Sequence, residues 1–402
     1  MKSPASRNGK RVAVTGWSAL AGGTTSAGEL WQRLCSHRSY VGEGSNSDEQ
    51  LASTAQLAPA DASILARHQL LALSAVESAW CMAGLPRERN RLRGKGARVH
   101  RPDFGCVAGM SLSGLSAMVR ETATGKPSAY SLSRWRGNSI SSAVALRFGL
   151  GGADFSLNSA SATGSQAFFL AGSLVASGVF DAVAVVVAES ELPPVLSEAA
   201  FRNGSVTRDV SHGPLSPGRS GMRPSEGAAA VILESESHVV CRQGEVRAWW
   251  IGGSCANEAA HLVAAEEGGE VLRRLLRGSR DLADSRQHSL DWISLHATGT
   301  RQFDAIEVAA VRHVFTDRLP WITAMKRVFG HALGASGLIE AALVLEGLSR
   351  GCVPPWPCAL DPALELPVEG PRDAILIPDA ALLIGQGMGG TVVTNVLASV
   401  RT

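Results

Sequence analysis

The chain has 402 residues, 45% of them hydrophobic and 18% charged, with 43 glycines, a globular composition long enough for two domains or one large layered core. A formal charge of +2 leaves no basic face of the kind a nucleic-acid binder needs to neutralise phosphates. Seven cysteines without a C-x-x-C pair argue against a disulfide framework or a zinc site and fit a reducing cytoplasm.

In chain order, Met1 to Lys10 is polar, lacks the apolar stretch of a signal peptide, and reads as a flexible tail. Nothing further along reaches the roughly 18 uninterrupted apolar residues of a membrane span. Arg11 to Gly16 (RVAVTG) is expected to be a short buried strand, followed by a helix near Ala27 to Leu34. Apolar runs at Phe104 to Ala108, Phe155 to Asn158 and Ala182 to Val187 predict strands buried on both faces, as in parallel sheets with helical crossovers. Thr163 to Ser177, rich in Ala, Phe and Leu and closed by Gly178, predicts a helix with a glycine stop. The polar, glycine-rich stretch from Asn203 to Glu226 reads as a long loop or lid. Strands are expected again at Gly227 to Leu233, Val246 to Ile251, Trp292 to Leu295 and Trp321 to Thr323, with helices at Asp304 to Phe315 and Ala335 to Leu348. Repeated alternation of this kind predicts a layered α/β protein whose second half repeats the plan of the first.

Three separated segments carry the chemistry. They are Asn158-Ser-Ala-Ser161-Ala-Thr163-Gly164, His296-Ala-Thr298-Gly-Thr300-Arg-Gln-Phe303-Asp304-Ala-Ile-Glu307, and Lys326-Arg-Val-Phe-Gly330-His331-Ala-Leu-Gly334-Ala-Ser-Gly337. In this order they resemble the T-A-C-A-T-G, H-G-T-G-T-x-x-N-D-x-x-E and K-x-x-x-G-H-x-x-G-A-A-G signatures of the β-ketoacyl-acyl-carrier-protein synthases (ketosynthases) of the thiolase superfamily. The opening RVAVTG and the closing Gly385 to Thr391 (GQGMGGT) fit the two ends of that family.

The resemblance implies a thiolase-like five-layered α-β-α-β-α fold of two similar halves, residues 11–235 bearing Ser161 and residues 236–402 bearing His296, Lys326 and His331. It implies a cytoplasmic dimer, either a homodimer or a heterodimer with a ketosynthase homologue. No bound cofactor is expected, because substrates arrive on the phosphopantetheine arm of an acyl carrier protein. It places Ser161 in the position of the nucleophilic cysteine, between a strand and a helix start, where unpaired N–H groups and the helix dipole favour negative charge. A free thiol has a pKa of about 8.5. A serine hydroxyl ionises far less readily, and its ester is a poorer acyl donor than a thioester. Serine is also a favoured helix N-cap, a reading without covalent chemistry.

By the same resemblance His296 and His331 bind the malonyl thioester carbonyl and favour loss of carbon dioxide. Lys326, one of five lysines, is expected to pair with Glu307 and hold the histidine loops in register, with Asp304 supporting the same loop. Thr298 and Thr300 are expected to bind the pantetheine amides, and Phe303 and Met388 to shape the acyl pocket. Arg67, Arg134, Arg136 and Arg208 lie in segments that resemble the carrier-docking face.

The sequence departs from the family at several positions. Ser161 replaces cysteine, Phe303 replaces asparagine, Gln386 and Met388 stand where the family has an aromatic gating pair, and Ser216 stands where its P-F-D signature has an acid. Two functions follow. One is acyl transfer or malonyl decarboxylation on carrier-protein thioesters in fatty acid or type II polyketide biosynthesis. The other is a non-condensing, chain-length-factor-like subunit paired with a cysteine-bearing ketosynthase, as in polyketide and aryl-polyene systems. An engineered Cys-to-Ser trap of an ordinary ketosynthase is a further reading. A serine hydrolase is disfavoured, because Ser161 lacks the G-x-S-x-G elbow and no acid follows with triad logic.

Overall fold

The computed structural model describes residues 9–36, 39, 44–93, 98–209, 211–357, 359–367 and 377–400. Most of the expected Met1 to Lys10 tail lies outside them. Ten strands carry the architecture: β1 (Val12–Ala21), β2 (Phe104–Gly109), β3 (Asp154–Leu157), β4 (Ala182–Glu189), β5 (Gly227–Ser235), β6 (Ala248–Asn257), β7 (Leu290–Ser294), β8 (Trp321–Thr323), β9 (Ala380–Gly387) and β10 (Thr391–Ser399). They run in the order β3-β2-β4-β5-β1-β6-β10-β9-β7-β8.

The second five strands repeat the first five in mirror order. β2 lies parallel to β3 and β4, and β5 lies antiparallel to β4 and β1. In the same way β7 lies parallel to β8 and β9, and β10 lies antiparallel to β9 and β6. The halves meet where Val12, Ala13 and Val14 pair with Trp250, Trp249 and Ala248.

Six helices complete five layers: α1 (Arg67–Met82), α2 (Ser139–Phe148), α3 (Thr163–Ala176), α4 (Glu270–Ser285), α5 (Arg301–Val314) and α6 (Ser336–Arg350). α1 and α2 cover the outer side of the first half. α4 lies against β6 and β10 with α5 beside it, and α3 and α6 touch strands of both halves.

The strands' composition follows from that sandwich. In β4, Val183, Val185 and Val187 join the central core, while Ala182, Ala184, Val186 and Ala188 face the outer helices. A period of two therefore appears as a continuous apolar run. Each valine removed from water stabilises the fold by about 1.5–3 kcal/mol before entropy is counted. α3 ends as the glycine stop predicts, with Gly178 at φ +76 just beyond its cap.

Two expectations are corrected. The first strand does not stop at Gly16 but runs to Ala21, through a register shift between Val14 and Gly16. β3 is not buried on both faces. It is an edge strand whose Asp154 and Ser156 are exposed and whose Phe155 and Leu157 are half-buried. Among the described residues no helix is long and apolar enough to cross a membrane.

Candidate active site

At the ends of the strands that approach α3 and α5 lies a cavity of about 460 Å³. Ser161, His296, Thr298, Thr300, Phe303 and Met388, drawn from three distant stretches of sequence, all line it. The long loop predicted between Asn203 and Glu226 supplies a further wall through Asn203, Ser205 and Met222. Bridges from Val206 to Met222 and from Pro224 to His331 pin that loop across the site.

Ser161 follows a backbone held in an uncommon conformation. Ala160 has φ +49, a region that non-glycine residues seldom occupy and that persists only where surrounding contacts enforce it. Here the Ser159 amide donates to Thr163 Oγ1 at 2.9 Å, Thr163 Oγ1 donates to the Ala160 carbonyl at 2.7 Å, and the Ala160 amide donates to Asn158 Oδ1 at 3.2 Å. The N-cap of α3 is Ala162, with no side-chain cap. The simple capping role for Ser161 is therefore excluded, and its half-buried side chain lines the cavity two residues ahead of the first helical residue, Thr163. α3 comes this close to α6 because Gly164 has no side chain: a Cβ there would lie 2.6 Å from the Leu338 nitrogen.

The histidine loop is gripped from beneath by the start of α5. Glu307 accepts the amides of His296 at 2.6 Å and Ala297 at 2.8 Å, while Asp304 accepts those of Gly299 at 3.0 Å and Leu215 at 2.8 Å. These bonds hold Ala297 at φ +36 and fix the side from which the imidazole enters. Thr298 and Thr300 share a hydroxyl contact of 3.0 Å at the rim. Burial raises the Asp304 carboxyl to about 6 and that of Glu307 to about 8, against the lowering pull of the amides they accept.

Lys326 does not pair with Glu307, as the sequence had suggested. Its ammonium donates to Glu340 Oε1 at 2.7 Å and to the His296 carbonyl at 2.6 Å, and both side chains are essentially sealed from solvent. Glu307 is committed to the loop amides, so the lysine's counter-ion comes from α6. Burial raises the Glu340 carboxyl to about 7 while the Lys326 charge opposes that rise. Removing either partner of such a pair costs about 3–5 kcal/mol, because the other charge is left buried alone.

His331 lies behind His296, ring centroids 5.8 Å apart and nearly perpendicular. Its amide donates to the Arg223 carbonyl at 2.8 Å and its Nδ1 sits 3.3 Å from Ser336 Oγ. Burial and the Lys326 charge hold His331 down to about 3 and keep His296 well below the ordinary imidazole range, so both rings are neutral at neutral pH. One nitrogen of each, Nδ1 of His296 and Nε2 of His331, is buried with no hydrogen-bond partner among the described residues. An unsatisfied buried polar atom costs about 1–3 kcal/mol. His296 lines the cavity and His331 lies directly behind it, an arrangement that fits a site awaiting a polar ligand. Among the described residues no cluster of three or more His, Cys, Asp or Glu side chains is arranged to hold a metal ion.

The arginines are scattered outside the cavity. Arg67 is taken up by Glu226 and Asp48, and Arg134 by Glu121 and the carbonyls of Ile64 and Ser63. Arg208 pairs with Glu198 at the surface, and Arg136 is exposed. Two residues that hold the site carried little signal. Glu340 is visible only as an acid inside the apolar run Leu338 to Leu345. Glu189, at the end of β4, accepts the amides of Ser111 and Leu112 and the Ser113 hydroxyl, and its carboxylate lies against Gly334 of the His331 loop.

Residues 46–238 match the family model described as β-ketoacyl synthase, N-terminal domain, and residues 249–358 match β-ketoacyl synthase, C-terminal domain. Nodulation protein E of Rhizobium meliloti is 25% identical over 368 residues, covering 86% of this chain and 88% of that protein. Two solved structures superpose with TM-scores of 0.81 over 98% of this chain and 100% of theirs. They are the ishigamide ketosynthase/chain length factor, at 22% identity, and a type II polyketide synthase acyl-carrier protein in complex with its ketosynthase bound to the hexaketide, at 21%. The solved structures share the fold found here, and the matched sequence spans both of its halves: the chain belongs to the β-ketoacyl synthase family.

Proposed function

We propose that the protein acts on acyl- and malonyl-carrier-protein thioesters in fatty acid or type II polyketide assembly, with Ser161 in the nucleophile's place biasing it toward decarboxylation or acyl transfer over condensation. The observation that carries this reading is the pair of buried, neutral imidazoles, each with a partnerless nitrogen, of which His296 lines the cavity with Ser161 and His331 lies behind it. A neutral imidazole has one N–H. Where Nδ1 of His331 accepts from Ser336, Nε2 carries that proton and donates to the thioester oxygen. As the malonyl carboxylate leaves as carbon dioxide, its bonding electrons pass into the thioester enolate, and donors already in place stabilise the developing oxyanion. A proton from water then completes an acetyl thioester. No thiol takes part, so a serine leaves this half of the chemistry intact.

Acyl transfer asks more of Ser161, whose hydroxyl needs a base. Neutral His296, on the same cavity, is the group able to accept its proton. Thr298 and Thr300 line the same cavity, which supports a role for their hydroxyls at the amides of a pantetheine arm. The exposed ladder edge of β3 supports association with a second subunit through that strand, as a homodimer or with a ketosynthase homologue. Gln386 and Met388 at the cavity favour a second reading, a chain-length-factor-like partner that shapes a shared tunnel.

The test is intact mass spectrometry with acyl- and malonyl-loaded carrier, alongside Ser161→Cys. An acyl adduct on Ser161, or carbon dioxide release that depends on His296 and His331, supports the enzyme. Absence of both, with co-purification of a thiol-bearing homologue, supports the partner subunit.

A further inference from the structure

Gln386 is the penultimate residue of β9, paired with Val392 of β10. Its direction is fixed by its neighbours. A Cβ at Gly385 would collide with the Ser165 side chain and one at Gly387 with the Ser159 carbonyl, so these glycines press the strand onto α3. Strand alternation then turns Gln386 the other way, into the cavity that holds Ser161 and His296. The side chain is 2% exposed, and its Nε2 has no hydrogen-bond partner among the described residues. A saturated acyl chain would leave that donor stranded against hydrocarbon, which is the costly arrangement for a buried amide. An apolar residue of similar size would serve such a chain better.

We propose that Gln386 is a specificity-determining residue whose amide donates to an oxygen on the acyl chain close to the thioester, selecting 3-oxo or 3-hydroxy acyl groups over saturated ones. This rests on the reading of the cavity as a carrier-thioester site. It adds the substrate's oxidation level, which none of the three motifs encodes.

The experiment measures binding of the pantetheine amides of octanoate, 3-oxooctanoate and 3-hydroxyoctanoate by calorimetry, to the wild type and to two variants. In the wild type both oxygenated ligands bind about tenfold to a hundredfold tighter than octanoyl-pantetheine amide, the worth of one buried hydrogen bond. Gln386→Leu brings the three affinities together. Gln386→Glu keeps the size but supplies only an acceptor, so it retains the 3-hydroxy ligand, which can donate, and loses the 3-oxo ligand, which cannot. Equal wild-type affinities for all three ligands, or a preference unchanged in both variants, overturns the assignment while leaving the thioester site standing. If none of the three binds to folded wild-type protein, the thioester reading falls and this inference falls with it.

Discussion

The floor of the cavity and its lip are built on different terms. Behind His296 every charge has a partner: Lys326 lies between Glu340 and the His296 carbonyl, and Asp304 and Glu307 each hold two loop amides. At the lip, Ser161, Gln386 and Met388 line the cavity at positions where the resemblance implies a thiol and two aromatic rings, and Nε2 of Gln386 has no partner among the described residues. Under the proposed function, the part that would stabilise charge is kept and the part that would touch the acyl chain is altered. Such a division is what a change of substrate, or of step, requires without a change of electrostatics.

The sharpest way to break this comparison is at the floor. Lys326→Met should lower stability by about 3–5 kcal/mol by stranding Glu340, read as a shifted urea midpoint at unchanged slope. Lys326→Met combined with Glu340→Leu should recover most of the loss. A single variant as stable as the wild type would show that the ion pair does not hold the loop. Next in size, His331→Ala should slow carbon dioxide release from malonyl-carrier protein about 10²–10³-fold, the usual cost of one oxyanion donor. At the lip the same assay should respond weakly. Met388→Ala should redistribute the acyl lengths bound and leave decarboxylation within about tenfold, because its side chain meets hydrocarbon rather than developing charge. On the surface, Arg136→Glu should weaken carrier binding several-fold at low salt and little at high salt; Arg134, already engaged by Glu121, should matter less. Smallest of all is the effect of pH. Both imidazoles are held neutral below their ordinary range, so neither should put a step in the decarboxylation rate between pH 8 and pH 6, and any modest change there belongs to the buried carboxyls of Glu307, Glu340 and Asp304, raised to about 8, about 7 and about 6. A large fall through pH 6.5 that persists in Glu340→Gln and in Asp304→Asn, which remove the carboxyls raised to about 7 and about 6, would mean that a histidine titrates there and that the floor is wetter than described.

How much of this could be read from the residues depends on where each element sits. The central strands announce themselves because burial on both faces turns them into unbroken apolar runs, as in Ala182 to Val187. α1 is hidden by the same rule. It is buried nearly all round, with His68, Gln69, Ser74 and Glu77 among its buried residues, so it shows no polar face and no clean helical period. α4 is not among the expected helices, although Leu272, Leu275, Leu276 and Ala283 recur at helical spacing inside a strongly charged stretch. β3 misleads because an apolar residue at every second position suits a half-covered edge as well as a core.

At the site, motif order brought Ser161, His296, Thr298, Thr300, Phe303 and Met388 to one cavity, with His331 and Lys326 behind them. The partner of Lys326 was not legible. Two acids, Glu307 and Glu340, are both buried near it, and only the folded chain decides which one already serves backbone amides. The left-handed residues Ala160, Ala297 and Leu333, each inside a motif, were invisible as well, since alanine and leucine give no warning of such a conformation.

The two glycines that flank Gln386 also limit what protein engineering can achieve here. Along that stretch of β9 only every second side chain reaches the cavity, and the intervening positions tolerate nothing larger than hydrogen. Libraries aimed at new chain chemistry therefore gain from randomising 386 and 388 together, while diversity spent on 385 or 387 would mostly yield misfolded protein.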